Sequence, residues 1–256
     1  MIILIAESKT MEKQEFGVST EYYETHKPVG EKEAAEIMER LKDMTLSDIS
    51  SIIKISNDLA VSLRRMTYEF PNKNMGLRAI EAFTGVVFRN FDYRSLSSSD
   101  KEWTASKVRI ISSLYGWLKP EDIIKPYRLD YTSPVSPDDT SLYIYWRERV
   151  TTQLISDLQA TGENQILNLL PADAAKCVDW KTVKRFAEVW KVDFKEQHGV
   201  TIRSPYTEKL KALRGKLLRN IVLNRFKTPQ QTATFGNDIM IPIPDYEYPD
   251  RLGFYV

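Results

Sequence analysis

The sequence predicts a mixed α/β fold of the α+β type, a single compact domain in which helices surround a β-sheet core. Three observations indicate this fold class. Short apolar runs at 1–6 and 166–170 are typical of buried strands. Amphipathic patterns with helical spacing lie between these runs. No composition shift, internal repeat or low-complexity linker interrupts the 256 residues, so we expect 1–256 to form one domain.

The segment after the first strand is predicted to be largely helical. Apolar residues recur every three or four positions over 31–44, which indicates an amphipathic helix. Thr45 or Ser47 then caps a second helix, and residues 56–58 offer the N-cap of a third. Segment 83–88 fits either a strand or a helix end, with Gly85 as the break, and the sequence leaves this choice open.

The remaining elements combine helices and strands. Residues 97–100 cap a helix that is predicted to run through Leu114. The later elements are predicted to be a helix over 141–158, a strand pair at 186–194 and 200–203 that turns at His198-Gly199, and a long helix over 205–226. The proline-containing tail from Pro242 onward is predicted to be an extended cover on the surface.

Composition narrows the possible functions. Lys and Arg total 36 and Asp and Glu total 35, so the net charge of +1 gives no general attraction to a polyanion. The single cysteine, Cys177, excludes an intramolecular disulfide, and with only two histidines the chain offers no metal-ligand cluster. We therefore expect no metal and no cofactor. The apolar opening is too short to span a bilayer and lacks signal-peptide features, so we expect a cytoplasmic protein without a membrane partner.

Common catalytic motifs are missing from the sequence. The patterns GxGxxG, GxxxxGK[ST], HExxH and GxSxG do not occur. With histidines only at positions 26 and 198, a metal-dependent or His-triad hydrolase is not expected. No catalytic residue can be assigned from these patterns, and whether the protein is an enzyme stays open.

The first local feature of functional interest is 107–128, which we predict to be a helix-hairpin-helix element. A capped helix runs into a tight turn at Gly116, and Pro120 suits the first position of a following short helix. Glycine lets backbone amides approach a phosphate, and a helix N-terminus favours an anion. Nearby positive charge comes from Lys119, Lys125 and Arg128. The alternative is a helical hairpin that only packs, with its aromatic residues in the core.

The second feature is a concentration of positive charge over 203–227. Eight Lys and Arg residues occur there against one acid, Glu208. On a helical wheel, Lys209, Lys216 and Arg219 lie opposite the apolar stripe, whereas Arg214 falls beside it. A buried arginine needs a partner, which is either an internal carboxylate or a bound anion. Both alternatives stay open.

Lys9 lies directly after the first predicted strand. In α/β proteins ligands bind at such strand ends, so Lys9 is a candidate for contact with an anionic ligand. A solvated lysine is the alternative.

Segment 114–130, LYGWLKPEDIIKPYRLD, resembles the LYGxLRPLDLIxPYRLEM block of the bacterial YaaA family of peroxide-stress proteins. The chain has Ala6-Glu7-Ser8-Lys9-Thr10 where the family has SPAKT. Further similarity lies at Phe83 with Gly85, Leu142-Tyr143 with Trp146, Asn168-Leu169, and Arg214-Gly215 with Arg219, Asn224 and Arg225. The resemblance therefore runs through nearly the whole chain.

This resemblance implies a cytoplasmic protein that protects against hydrogen peroxide by limiting free iron and iron-driven damage to DNA. It also implies a helix-hairpin-helix element and a positive cleft that binds duplex DNA without sequence preference, including distorted duplexes. The expected DNA-binding or anion-binding residues are Lys9, Gly116, Lys119, Lys125, Arg128, Lys211, Arg214 and Arg219.

Two other functions remain in competition with DNA binding. One is an enzyme that acts on a small phosphorylated or nucleotide-like ligand, in a pocket formed by Lys9, Arg128 and Arg214. A closed pocket holding these three residues favours the small ligand, whereas an open groove as wide as a duplex favours DNA. The other is an iron-handling protein, for which only carboxylates are available as ligands.

Overall fold

The computed structural model describes residues 1–12, 20–234 and 236–256. The strands are β1 (Ile2–Ala6), β2 (Leu77–Arg78), β3 (Val108–Ser112), β4 (Gly116–Leu118), β5 (Ile123–Ile124), β6 (Gln165–Asn168), β7 (Glu188–His198), β8 (Thr201–Arg203), β9 (Ile241–Pro242) and β10 (Arg251–Tyr255). The helices are α1 (Thr20–Thr25), α2 (Glu31–Asp43), α3 (Leu46–Ile53), α4 (Asn57–Glu69), α5 (Ala79–Ala82), α6 (Val86–Phe91), α7 (Ser98–Lys107), α8 (Leu142–Thr161), α9 (Trp180–Val183), α10 (Thr207–Asn224) and α11 (Pro229–Ala233). These elements form one compact domain of the predicted mixed α/β class.

A mostly parallel sheet forms the centre of the domain. Its strand order is β4-β3-β1-β6-β7-β10-β9, and β8 pairs with β7. The strands β3 and β6 flank β1 and run parallel to it, with Ile3 opposite Val108 and Ile2 opposite Ile166. Residues 2–5 of β1 are at most 1% exposed. Parallel strands covered on both faces have such continuous apolar sequences, which is why the opening run forms a central strand.

Capping residues set several helix starts where the sequence indicated them. The Thr45 side chain and Asp48 form a capping box at the start of α3. The hydroxyl of Ser56 accepts a hydrogen bond from the Leu59 N–H at the start of α4, and Ser97 does the same with Asp100 at α7. Of the two candidates for the second helix, Thr45 is therefore the cap.

The predicted helix-hairpin-helix over 107–128 is wrong. The helix ends at Lys107, and the next residues form β3, which pairs with β1 and then makes an antiparallel hairpin with β4. All five residues of β3 are buried. A short buried strand and a buried helix segment have similar apolar patterns, so the sequence does not distinguish them. Pairing with β1 makes 108–112 a strand. The element is a β-hairpin followed by the short strand β5.

Two further segments differ from, or complete, the sequence prediction. Segment 83–88 is a helix start, because α6 begins directly after Gly85. The tail is more than a surface cover, since β10 joins the main sheet in parallel with β7 and its Phe254 is fully buried. The predicted strand pair is confirmed by β7 and β8, but β7 continues through His198, which pairs with Thr201, so the turn lies at 199–200 and not at 198–199.

Among the helices in the described part of the chain, none combines the length and the apolar character of a membrane span.

Candidate anion-binding cleft

The strand order creates a crevice at the carboxyl end of β1. The chain leaves β1 and next enters the main sheet at β3, on one side of β1, whereas β6 lies on the other side. The loops that follow β1 and β6 therefore diverge. In open α/β sheets, ligands bind in the crevice that such a reversal opens beyond the carboxyl ends of the strands.

A cavity of about 500 Å³ occupies this position, and we call it the first cavity. Its walls come from the loop after β1, the start of α6, the loop after β6 and one face of α10. The charged residues that line it are the cations Lys9, Arg89, Lys211 and Arg214 and the acids Glu7, Asp130 and Asp173. Residues distant in the chain thus share one hollow.

Lys9 lies at the mouth of the first cavity and is paired. Its Nζ is 2.9 Å from Oδ2 of Asp130, and the lysine side chain is 60% exposed. The ion pair and the hydrogen bonds from Thr132 hold the pKa of Asp130 at about 2, against the opposing effect of partial burial. An exposed ion pair of this kind contributes little free energy, so a ligand can compete with Asp130 for the Lys9 ammonium group.

Arg214 lines the first cavity and has no carboxylate partner among the described residues. Its side chain is partly buried and forms no ion pair or hydrogen bond with the described residues. Burial lowers the pKa of the guanidinium, and the more distant charge of Asp173 only partly offsets this effect. Thr207, Lys211 and Arg214 lie on the same face of α10 because they are four and three residues apart.

Two glycines allow the walls of the first cavity to approach each other. A Cβ atom on Gly85 would lie 2.1 Å from Oγ of Ser8, so the start of α6 packs directly against the loop after β1. A Cβ atom on Gly215 would lie 2.3 Å from the carbonyl oxygen of Val87. Gly215 therefore serves the close packing of α10 on α6, which places Arg214 beside the cavity.

Glu7 contributes a titratable carboxyl group to the first cavity. Its Oε2 accepts a hydrogen bond from the Ser113 N–H, at 2.8 Å, and another from the Tyr127 hydroxyl. Burial raises the pKa of Glu7 to about 7, although these hydrogen bonds act in the opposite direction. A carboxyl group that exchanges its proton near neutral pH can act as a general acid or base on a bound ligand.

A second cavity, of about 480 Å³, lies beside the first. Lys9 and Asp130 line both cavities. Arg128 lines the second cavity, and its Nη1 donates a hydrogen bond to the carbonyl oxygen of Lys9 at 3.1 Å. The structure therefore brings Lys9, Lys211 and Arg214 together and places Arg128 next to them.

Gly116 and Lys119 do not lie in this cleft. Gly116 has a φ of +69°, and a Cβ atom there would be 2.3 Å from the ring of Trp146. The glycine therefore fits the hairpin against α8 and leaves no space for a phosphate. Lys119 is exposed and lines neither cavity, while its backbone N–H donates to Asp122. Gly116 and Lys119 lie outside the cleft because strands stand where helices were predicted.

Lys125 and Arg219 also serve the fold and not the cleft. The Nζ of Lys125 donates to the carbonyl oxygen of Phe70 and lies 4.9 Å from the ring centres of Phe70 and Tyr23. Arg219 donates to the carbonyl oxygens of Phe91 and Asp92, each at 2.9 Å, and so caps the C-terminus of α6. Arg219 also pairs with the Asp92 carboxylate, at 3.5 Å, so protein groups already contact both of these predicted phosphate-binding cations.

Several residues of the cleft were not predicted from the sequence. The residues that the sequence predicts for the site do not include Glu7, which departs from the family pattern, nor Arg89, Asp130 and Asp173. A signal existed for Asp173, because it follows a predicted buried strand as Lys9 follows another. Within residues 1–12, 20–234 and 236–256, no group of three or more His, Cys, Asp or Glu residues is placed to hold a metal ion.

Comparison with known proteins places the chain among relatives of similar length. The profile of the family described as peroxide stress protein YaaA matches residues 1–240. A UPF0246 protein of Parabacteroides distasonis is 30% identical over 243 residues, which cover 92% of this chain and 91% of the relative. UPF0246 proteins of Clostridium perfringens and Maricaulis maris are 29% and 34% identical, over 98% and 76% of this chain and 96% and 73% of the relatives. Because the family profile covers the strands, helices and loops that build the cleft, the chain belongs to the YaaA family of peroxide stress proteins.

Proposed function

We propose that this peroxide stress protein binds a small phosphorylated, nucleotide-like ligand in the first cavity. The observation that carries the proposal is Arg214, a partly buried guanidinium that lines the cavity and has no carboxylate partner in the described chain. A bound phosphate would supply the missing negative charge. Lys9 and Lys211, both exposed at the same cavity, would add further positive charge.

The size and lining of the first cavity suit such a ligand. Its volume of about 500 Å³ lies within the range of about 300–1,000 Å³ that is typical of small-molecule sites. The wall includes apolar residues such as Val86, Val87 and Leu169, against which a base can pack. Glu7 at the end of β1 offers a carboxyl group that can hydrogen-bond to a base or exchange a proton with it.

Duplex DNA is the second candidate ligand. The observation that favours it is the exposure of Lys9, Arg89 and Lys211 around the mouth of the cavity, where they can meet backbone phosphates. A duplex, whose major groove alone is about 12 Å wide, is too large to enter the cavity. It would therefore contact only the rim and would leave Arg214 unpartnered.

Titration at two salt concentrations separates the two ligands. We expect a nucleoside 5′-monophosphate to bind with one-to-one stoichiometry and with an affinity that changes little between about 50 and about 200 mM salt. A duplex bound at the rim through about three to five of its phosphates would instead lose affinity as salt rises. The logarithm of its affinity should fall with the logarithm of the salt concentration at a slope of about −3 to −4.5. Tight, salt-sensitive duplex binding without nucleotide binding would reject the small-ligand proposal in favour of DNA.

The protective role would depend on the same site. We propose that ligand binding precedes any limitation of iron-driven damage, so that an Arg214→Gln protein should fail to restore peroxide resistance to a strain lacking the wild type. Full protection by a variant that no longer binds nucleotide would separate the stress role from the cleft.

A further inference from the structure

We propose that the second cavity is a second nucleotide subsite, so that the ligand consists of two nucleotide units joined by a phosphodiester. This inference rests on the proposed function of the first cavity, which it extends from one phosphate to two. The shared chemistry is a short run of nucleic-acid backbone, either in a free dinucleotide or within a single strand.

The two cavities have a common border. Lys9 and Asp130 line both of them, and the ion pair between these residues is partly exposed. Each cavity is close to 500 Å³, so together they approach the upper end of the range of about 300–1,000 Å³ for ligand sites. A ligand that crosses the border would pass Lys9, whose ammonium group can meet the linking phosphate.

The charge of the second cavity favours another phosphate. Its lining contains the cations Lys9, Lys54 and Arg128 and a single acid, Asp130, which is already paired with Lys9. Lys54 is exposed and has no ion pair with the described residues. Arg128 lines the second cavity and forms no ion pair with the described residues, so its guanidinium charge can meet a phosphate there.

The remaining lining suits a nucleotide in the same way as the first cavity. Ile52 and Ile55 provide apolar surface, and Ser51 and Thr132 provide hydroxyl groups for a sugar or base edge. Lys54 ends α3 in the left-handed conformation, with φ of +59°. This backbone turn directs the chain from α3 around the cavity to α4.

The test compares a 5′-phosphorylated dinucleotide with a nucleoside 5′-monophosphate by calorimetric titration. We expect the dinucleotide to bind the wild-type protein at least tenfold more tightly. Lys54→Asn should remove most of this advantage and leave monophosphate affinity unchanged, and Asn tolerates the left-handed backbone at this position. Lys181→Asn, which removes an exposed cation that lines neither cavity, is the control.

The outcomes separate this inference from the proposed function. Equal affinity for the two ligands would overturn the second subsite and leave the first intact, whereas the absence of binding by either would overturn both. A short single-stranded oligonucleotide identifies the source of the ligand. Binding as tight as that of the dinucleotide supports a strand as ligand, and weaker binding supports a free dinucleotide.

Discussion

Arg214 is the residue on which the candidate site depends. A guanidinium that leaves water without meeting a carboxylate loses solvation and gains no ion pair, which is why burial lowers its pKa. Lys125 and Arg219 are satisfied differently, because both donate to backbone carbonyls and Arg219 also pairs with Asp92. Arg214 has no such contact with the described residues, and a ligand anion is the partner that the geometry leaves for it.

Arg214→Gln should weaken binding of a nucleoside 5′-monophosphate at least tenfold, which corresponds to about 1.4 kcal/mol. The thermal midpoint without ligand should stay at the wild-type value or rise, because the substitution removes a partly buried charge that lacks a partner. Lys216→Gln, on the same helix but outside both cavities, should bind as the wild type does. If Arg214→Gln instead unfolds the protein, Arg214 is part of a structural ion pair and the assignment fails.

Glu7 predicts a pH dependence of stability. Its pKa lies at about 7 in the folded protein against an ordinary 4.5, so the folded state holds this proton more tightly than the unfolded state does. Protonation therefore favours folding, and the free energy of unfolding should fall as pH rises from about 5.5 to about 8, by roughly 1–2 kcal/mol from this group.

Glu7→Gln isolates that contribution because glutamine stays neutral and keeps an oxygen acceptor for Ser113 and Tyr127. Urea unfolding at the two pH values should show a smaller loss of stability for this variant than for the wild type. Asp122, whose pKa is also raised to about 7 by burial, contributes equally to both proteins and cancels. Glu102→Gln, at an exposed position, should keep the wild-type difference. An identical pH response in all three proteins would show that Glu7 titrates normally.

At the scale of elements, the β3–β4 hairpin shows where sequence patterns are ambiguous. Residues 108–114 fit a helix continuing from Ser97, but a central parallel strand has the same apolar character. The starts of helices with a clear cap, such as α3 and α7, are confirmed because capping is local, although α7 ends at Lys107 and not at Leu114. Pairing between strands distant in the chain is not local, and it determines β3, which pairs with β1, and β10, which pairs with β7.

The hairpin predicts a specific cost for replacing Gly116. Gly116→Ala combines a positive φ with a contact of 2.3 Å to the Trp146 ring, so we expect a loss of about 2–4 kcal/mol in the free energy of unfolding. Gly162→Ala has a similar φ of +67° but no heavy atom within 4 Å of the added Cβ, and should cost only about 1 kcal/mol. Urea unfolding of the two variants measures the difference.

The same pair of variants tests the position of the hairpin relative to the site. At a temperature where Gly116→Ala is still folded, nucleotide affinity should equal that of the wild type, because Gly116 lines neither cavity. Weakened nucleotide binding by folded Gly116→Ala, with Gly162→Ala binding as the wild type does, would return the hairpin to the binding site.

At the scale of the whole molecule, the site is a product of topology. The sequence predicts a shared pocket for Lys9, at a strand end, Arg214, beside an apolar stripe, and the nearby cation Arg128. The sheet reversal at β1 brings their segments together, with Arg128 in the adjacent second cavity. The acids that complete the cleft could not be predicted, because Glu7 and Asp130 gain their environments only through packing against β3 and the loop after β1. The sequence therefore indicates which side chains can bind an anion, whereas only the fold shows which of them lie close together.

The most direct test of the account is a crystal structure of the protein with a nucleoside 5′-monophosphate, at a concentration shown by titration to saturate the protein. We predict that the phosphate lies in the first cavity within hydrogen-bonding distance of Arg214, with the base against the apolar wall formed by the start of α6. A nucleotide bound elsewhere, with Arg214 making no contact to it, would contradict the account.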